Sequence, residues 1–200
     1  MKITSLKAQI KNPERVSVYV DGKFALGLSL NQIADLGIKN GQEISEAELK
    51  VLQKHSDMGK AYARTLDWLL RRPHSRRELY NRLYNLKYDD EEKDYIVARV
   101  ERYLDDEAFA RFWVECRRGS KAKSARVIRG ELAQKGVAKE IIDKVLVENE
   151  ATDQDMLKKL ITKKSRQTKY QDTQKLIEYL LRQGFSYDDI KKCLDDIRPE

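Results

Sequence analysis

The chain has 200 residues, 40% of them hydrophobic and 36% charged, with three prolines and nine glycines. That balance fits a helix-rich protein of one or two small domains, or an array of modest units, and argues against a disordered chain. No apolar run approaches a membrane span, the N-terminal twelve residues hold no signal-peptide core, and Cys116 and Cys193 stand in no disulfide or zinc pattern. A cytoplasmic protein with two reduced thiols is expected. The formal charge of +7 admits a polyanionic partner, although no single segment forms a basic tail.

Residues 1–58 differ in pattern from the rest. Ile3 to Gln9 alternates loosely, Val16, Val18 and Val20 alternate strictly, and Asp21-Gly22 supplies a turn before a second apolar run from Lys23 to Leu28. Alternation on both sides of Asp-Gly predicts a β-hairpin. Ser29 and Asn31 start a short helix that reaches Leu36 and stops at Gly37. Ser45 and Glu48 form a capping-box pattern for a helix ending near His55. The segment reads as a small β-hairpin module with short helices, too small to hold a core of its own.

From Lys60 onward a pattern repeats. Leu83, Leu132 and Leu180 lie at intervals of 49 and 48 residues. Around them Leu79, Ile128 and Leu176 fall together, as do Tyr88, Val137 and Phe185. With a three-residue insertion allowed in the first unit, Ile96, Ile142 and Ile190 align, and so do Val100, Leu146 and Leu194. A fixed period of this size marks tandem helical units. Each unit reads as three helices.

In the first unit, helix one buries Tyr62, Leu66, Leu69 and Leu70 and ends before Arg72-Pro73. Ser75 caps helix two, with Glu78 placed to bond back, and Asp89-Asp90 opens helix three, whose face is Ile96, Val100 and Leu104. In the second unit Phe109, Phe112, Trp113 and Cys116 share the core face of helix one. Gly136 and Gly184 end the later copies of helix two, with Val137 and Phe185 folding back. Ser186 and Asp189 start the last helix. Gly130 interrupts a helix at a cost of roughly 1 kcal/mol; either another backbone approaches it closely or the cost is tolerated. The expected fold is mainly all-α, three tandem three-helix repeats with a small N-terminal β-hairpin module. The expected divisions are 1–58, 59–105, 106–150 and 151–200.

Basic residues gather at the same place in each unit, from the end of helix one into helix two. The candidates are Arg71, Arg72, Arg76 and Arg77 in the first unit, and Arg117, Arg118, Lys121, Lys123, Arg126 and Arg129 in the second. In the third they are Lys158, Lys163, Lys164, Arg166 and Lys169, with Lys159 in the same run. No acid interrupts the second and third clusters. Regular stacking would line them up as a discontinuous stripe suited to a phosphate backbone or to an acidic groove in a filamentous partner. The competing reading is a set of solvated helix ends.

Catalysis has little support. His55 and His74 have no nucleophile pattern near them, and no glycine-rich phosphate loop is present. Asp89 to Glu92 reads as helix N-terminal charge rather than a metal site, and Trp68, Phe109, Phe112 and Trp113 read as core rather than as base-stacking groups. No enzyme, metal or cofactor is expected.

Three blocks carry a family likeness: RRPHSRREL at 71–79, LDDEAFARFWV at 104–114 and ELAQKGV at 131–137. In these the chain resembles the RecX family, whose members regulate the RecA recombinase. The likeness covers residues 60–150 directly and 151–197 through the repeat, and the N-terminal hairpin is similar to an extension found in part of the family. It implies helix-turn-helix-like units forming a curved array that lies in the groove of the RecA–single-stranded-DNA filament. It further implies a monomeric, non-enzymatic modulator, usually an inhibitor, of strand exchange, filament growth, ATPase and coprotease activity, and so a role in homologous recombination, DNA repair and the SOS response. RecA and single-stranded DNA phosphates are then the partners of the basic stripe, with no membrane involved. Two other classes stay open: a DNA-binding helix-turn-helix regulator, which the acidic third helices oppose, and a helical adaptor for another protein. Lys87, standing where the later units have glycine, implies a different cap in the first unit.

Overall fold

The fold is taken from a computed structural model that describes residues 1–148 and 152–197, the side chains of Ser120 and Lys121 excepted. Strands β1 (Ile3–Gln9), β2 (Asn12–Val20) and β3 (Lys23–Ser29) form an antiparallel sheet in the order β1-β2-β3. Asp21 and Gly22 both take positive φ, 48° and 81°, which closes β2 onto β3 with the twist that a two-residue hairpin needs. The hairpin is joined by β1, and Asp21 fixes that strand's start by accepting from the Lys2 backbone N–H at 2.8 Å.

The module does hold a core, contrary to the sequence expectation. Ile3, Val18 and Leu28 are fully buried, and Ile38, Ile44 and Leu52 close over them. The third strand and Leu52 supply the apolar surface that a hairpin alone lacks. Leu52 belongs to α2, whose length departs from expectation. Helix α1 (Leu30–Asp35) is short and capped by Ser29, but α2 (Glu46–Leu69) runs unbroken for 24 residues, where two helices were expected.

The continuity rests on small side chains. Gln32 donates to the His55 carbonyl at 2.6 Å, and a Cβ on Gly59 would lie 2.6 Å from the Gln32 Oε1. A side chain at this mid-helix position would push the Gln32 amide away from the His55 carbonyl. The buried positions of α2 include Ser56, Ala61, Thr65 and Leu69, whereas Tyr62 and Leu66 are half-buried and Leu70 is 67% exposed. Ser56 and Thr65 satisfy their hydroxyls on the carbonyls of Gly27 and Ala61. The buried face of α2 mixes Ser56, Ala61 and Thr65 with Leu52, Met58 and Leu69 and packs against β3 and α4 (Asp90–Val100), so a search for large apolar residues finds only part of it.

The chain divides into two compact units, one of residues 1–72 and 86–103 and one of residues 73–85 and 104–200. The second contains α3 (Arg76–Asn85), α5 (Asp106–Lys121), α6 (Ala125–Gln134), α7 (Lys139–Glu148), α8 (Asp153–Ser165), α9 (Thr173–Gln183) and α10 (Tyr187–Ile197). Fourteen of the fifteen aligned apolar positions are buried, and Tyr88 is half-buried. In α5 the core face is rotated from the expected one. Phe109, Ala110 and Val114 are buried, while Phe112 and Trp113 are half-buried and Cys116 is exposed.

Successive repeats in the second unit are joined in one recurring way. The N-terminus of α3 meets the C-terminus of α6: the Ser75 hydroxyl accepts from the Glu78 N–H at 3.1 Å and donates to the Lys135 carbonyl at 2.8 Å. The N-terminus of α6 meets the C-terminus of α9 likewise, the Ser124 N–H donating to the Gln183 carbonyl at 3.1 Å. An aspartate at the start of the next repeat covers each helix start. Asp106 accepts from the Arg76 N–H at 3.0 Å, and Asp153 from the Ala125 N–H at 2.9 Å. Orphan amide donors and a favourable helix dipole explain both contacts.

The joint also dictates the two cap glycines. Gly136 and Gly184 have φ of +79° and +96°. A Cβ there would lie 2.9 Å from Arg77 Cβ in the first case and 2.2 Å from Val127 Cγ2 in the second. Lys87 adopts the same left-handed geometry at φ 56°, so the first cap does not differ in conformation as expected. It carries a side chain there because it is exposed. Gly130, by contrast, has open space around it.

A candidate polyanion-binding surface

The charged residues of the second cluster lack acids in the local sequence, yet folding brings acids to three of the six. Arg117 is bridged to Glu131 at 2.5 Å, and Arg129 to Asp143. Arg118 is 7% exposed, with Asp153 at 3.4 Å. Lys123 and Arg126 donate to the carbonyls of Arg182 and Gly184 at 3.3 and 3.2 Å, and so belong to the α6–α9 joint. The side chain of Lys121 lies outside the described residues. Here the acids are distant in sequence and close in space.

The first cluster is shared between the two units. Arg71 and Arg72 lie in one, and Arg71 is paired with Asp67 at 2.7 Å. Arg76 and Arg77 lie in the other, Arg76 Nε being 4.0 Å from Asp106 and the Arg77 stem lying across Gly136. One and two turns on from Arg77, α3 exposes Tyr80 and Tyr84.

Trp113 sits in a small network of its own. Its Nε1 donates to Glu131 at 2.8 Å, and the Arg117 guanidinium and the Lys135 ammonium lie 4.1 and 4.5 Å from its ring centroid. Lys135 also bridges Glu78 at 2.5 Å, and Glu78 meets His74 Nδ1 at 3.0 Å, with His74 buried. Cation–π contacts hold the indole inside the fold. Asp89, in the acidic run, caps α4 in a capping box with Glu92, and no group of His, Cys, Asp or Glu among the described residues is arranged to hold a metal ion.

The third cluster differs. Lys158 lies 3.6 Å from Asp196, but among the described residues no carboxylate is bridged to Lys159, Lys163 or Arg166. Asp155, one turn before Lys159, is held in its capping box with Thr152, and after those hydrogen bonds the charges of Lys159 and Lys158 also help to keep its carboxyl below the usual range. Lys164 is held over the rings of Tyr170 and Tyr179 at 5.3 and 4.9 Å, and Lys169 lies 5.7 Å from the Tyr170 ring. Two hollows flank α8. One, of about 400 Å³, is lined by Lys158, Lys159, Thr162, Lys163 and Arg166. The other, of about 300 Å³, shares Lys159 and Lys163 and adds Arg118, Met156, Leu160, Lys164 and Tyr179. Sequence pattern marks the lysines. It gives no sign of the Tyr179 wall, because that residue comes from α9.

The fold defines the class: a tandem three-helix repeat protein with an N-terminal sheet module. Family models match three stretches, the "Regulatory protein RecX N-terminal domain" at residues 1–45, "RecX, second three-helix domain" at 105–146 and "RecX, third three-helix domain" at 151–194. Relatives named "Regulatory protein RecX" include one from Bacillus cytotoxicus, 30% identical over 99% of this chain and 77% of its own length. Another, from Clostridium tetani, is 26% identical over 98% of this chain and 94% of its own length. A crystal structure of regulatory protein RecX superposes with a TM-score of 0.72 at 26% identity, covering 97% of this chain and 98% of that one. The chain belongs to the RecX family of regulatory proteins.

Proposed function

We propose that this chain regulates a RecA recombinase, in the inhibitory sense usual for the family. It binds in the groove of the RecA–single-stranded-DNA filament and modulates strand exchange, ATPase and coprotease activity. Membership of the family along nearly the whole chain carries this reading. The exposed cations of α8 supply a physical means: among the described residues no carboxylate is bridged to Lys159, Lys163 or Arg166, and an extended anionic partner gains from such cations. On this reading the protein acts as a cytoplasmic monomer with no catalytic step of its own. No described helix is long and apolar enough to cross a membrane.

The test is binding to preformed RecA–single-stranded-DNA filaments, compared with free RecA and free DNA, together with inhibition of RecA ATPase. Reversing Lys159, Lys163 and Arg166 to Glu should weaken both while leaving the circular dichroism unchanged. Reversal of Lys123 and Arg126 is a poorer test, because both support the α6–α9 joint. A folded triple variant with undiminished inhibition would remove α8 from the binding face. A duplex-reading role has less support, since α4 and α10 both open with acids, Asp90 to Glu92 and Asp188-Asp189.

A further inference from the structure

The two hollows on α8 share a wall made by Lys159 and Lys163. Among the described residues, no carboxylate lines either one. Charge alone would suit any polyanion, but two features narrow the ligand. Lys159, Lys163 and Arg166 recur at i, i+4 and i+7, on one face and about 5.4 Å apart for each turn, which matches anionic groups repeated along a polymer. The smaller hollow pairs its cations with an apolar floor of Met156 and Leu160 and with the aromatic wall of Tyr179. A carboxylate side chain gains nothing from such a floor, whereas a flat heteroaromatic base does. The volume of about 300 Å³ lies at the lower end for small-molecule sites and admits one such unit.

We propose that α8 and Tyr179 form a binding site for unpaired polynucleotide, with phosphodiesters on Lys159, Lys163 and Arg166 and one base seated against Tyr179 and Leu160. The proposal rests on the reading of this chain as a partner of a nucleoprotein filament, and it gives the nucleic-acid part of that contact a place. Arg118, held by Asp153, forms the inner wall and takes no phosphate. Lys164, fixed over Tyr170 and Tyr179, keeps a positive charge at the rim. A base must leave its stack to enter, so duplex DNA reaches only the phosphate-binding part.

The experiment is fluorescence anisotropy of a labelled oligodeoxythymidine titrated with the full chain across a sodium chloride series. Lys159→Ala with Lys163→Ala should weaken binding about tenfold and flatten the slope of log K against log salt by about 1.4, at roughly 0.7 for each lost single-strand contact. Tyr179→Ala should weaken binding about tenfold with the slope unchanged, since stacking releases no counterions. Tyr179→Phe, which keeps the ring and the packing, should bind as the parent does. An unchanged slope in the lysine variant overturns the proposal. So does equal affinity for a duplex of the same length, or displacement of the oligonucleotide by equimolar free AMP. Intact oligonucleotide binding with lost RecA-filament binding in the lysine variant assigns α8 to a protein surface and also overturns it. If instead the parent leaves RecA ATPase untouched while the slope change appears as stated, the nucleic-acid site stands and the RecA reading falls.

Discussion

Gly184→Ala tests the recurring joint. The residue caps α9 at φ +96°, and a Cβ there would meet Val127 Cγ2 at 2.2 Å and Ser124 Oγ at 2.5 Å. Left-handed backbone costs an alanine about 1–2 kcal/mol. Forcing the α6 N-terminus aside adds about 1–3 kcal/mol, the usual range for an overfilled site. The expected loss is about 2–5 kcal/mol, read as a lower urea midpoint at constant m-value for the full chain. Val127→Ala in the same chain removes the nearer clash, so the two substitutions should couple by about 1 kcal/mol or more in a double-mutant cycle. A loss below about 1 kcal/mol, or strict additivity with Val127→Ala, would refute the view that glycine is required by the neighbouring repeat.

Gly130→Ala should act in the opposite direction. With open space around that position and helical backbone, alanine should raise stability by about 0.5–1 kcal/mol. A destabilised variant in the same urea titration would show that the site needs glycine for an unseen reason. For pH, the Arg111 guanidinium and then the Lys144 ammonium hold the Glu107 carboxyl below its usual range. A depressed folded value means that its stabilisation is present above the ordinary carboxylate pKa of about 4.3 and is lost as pH falls through the lower folded value. The Tm difference between the parent and Glu107→Gln should therefore be full at neutral pH and shrink on acidification. A difference that stays constant with pH would count against the pairing.

Much of the fold is legible in the sequence because much of it is set locally. The Asp21-Gly22 turn, the caps at Ser29, Ser45, Asp89 and Ser186, and the five repeated apolar columns each depend on residues a few positions apart. Such contacts are read directly from spacing. The fusion of two expected helices into α2 is not legible in that way. The buried face of α2 mixes Ser56, Ala61 and Thr65 with larger residues, and the value of those small positions appears only once β3 and α4 lie against them. The rotated core face of α5 has the same origin, since packing partners decide which of two adjacent apolar stripes is covered.

The candidate surface divides along the same line. Sequence by itself determined where the cations are and that they recur in three units. Only the tertiary structure decided which of them remain available, because charge neutralisation depends on distance in space. Glu131, Asp143 and Asp153 reach Arg117, Arg129 and Arg118 across helix boundaries, while among the described residues no carboxylate is bridged to Lys159, Lys163 or Arg166, and Tyr179 lines a hollow with the first two.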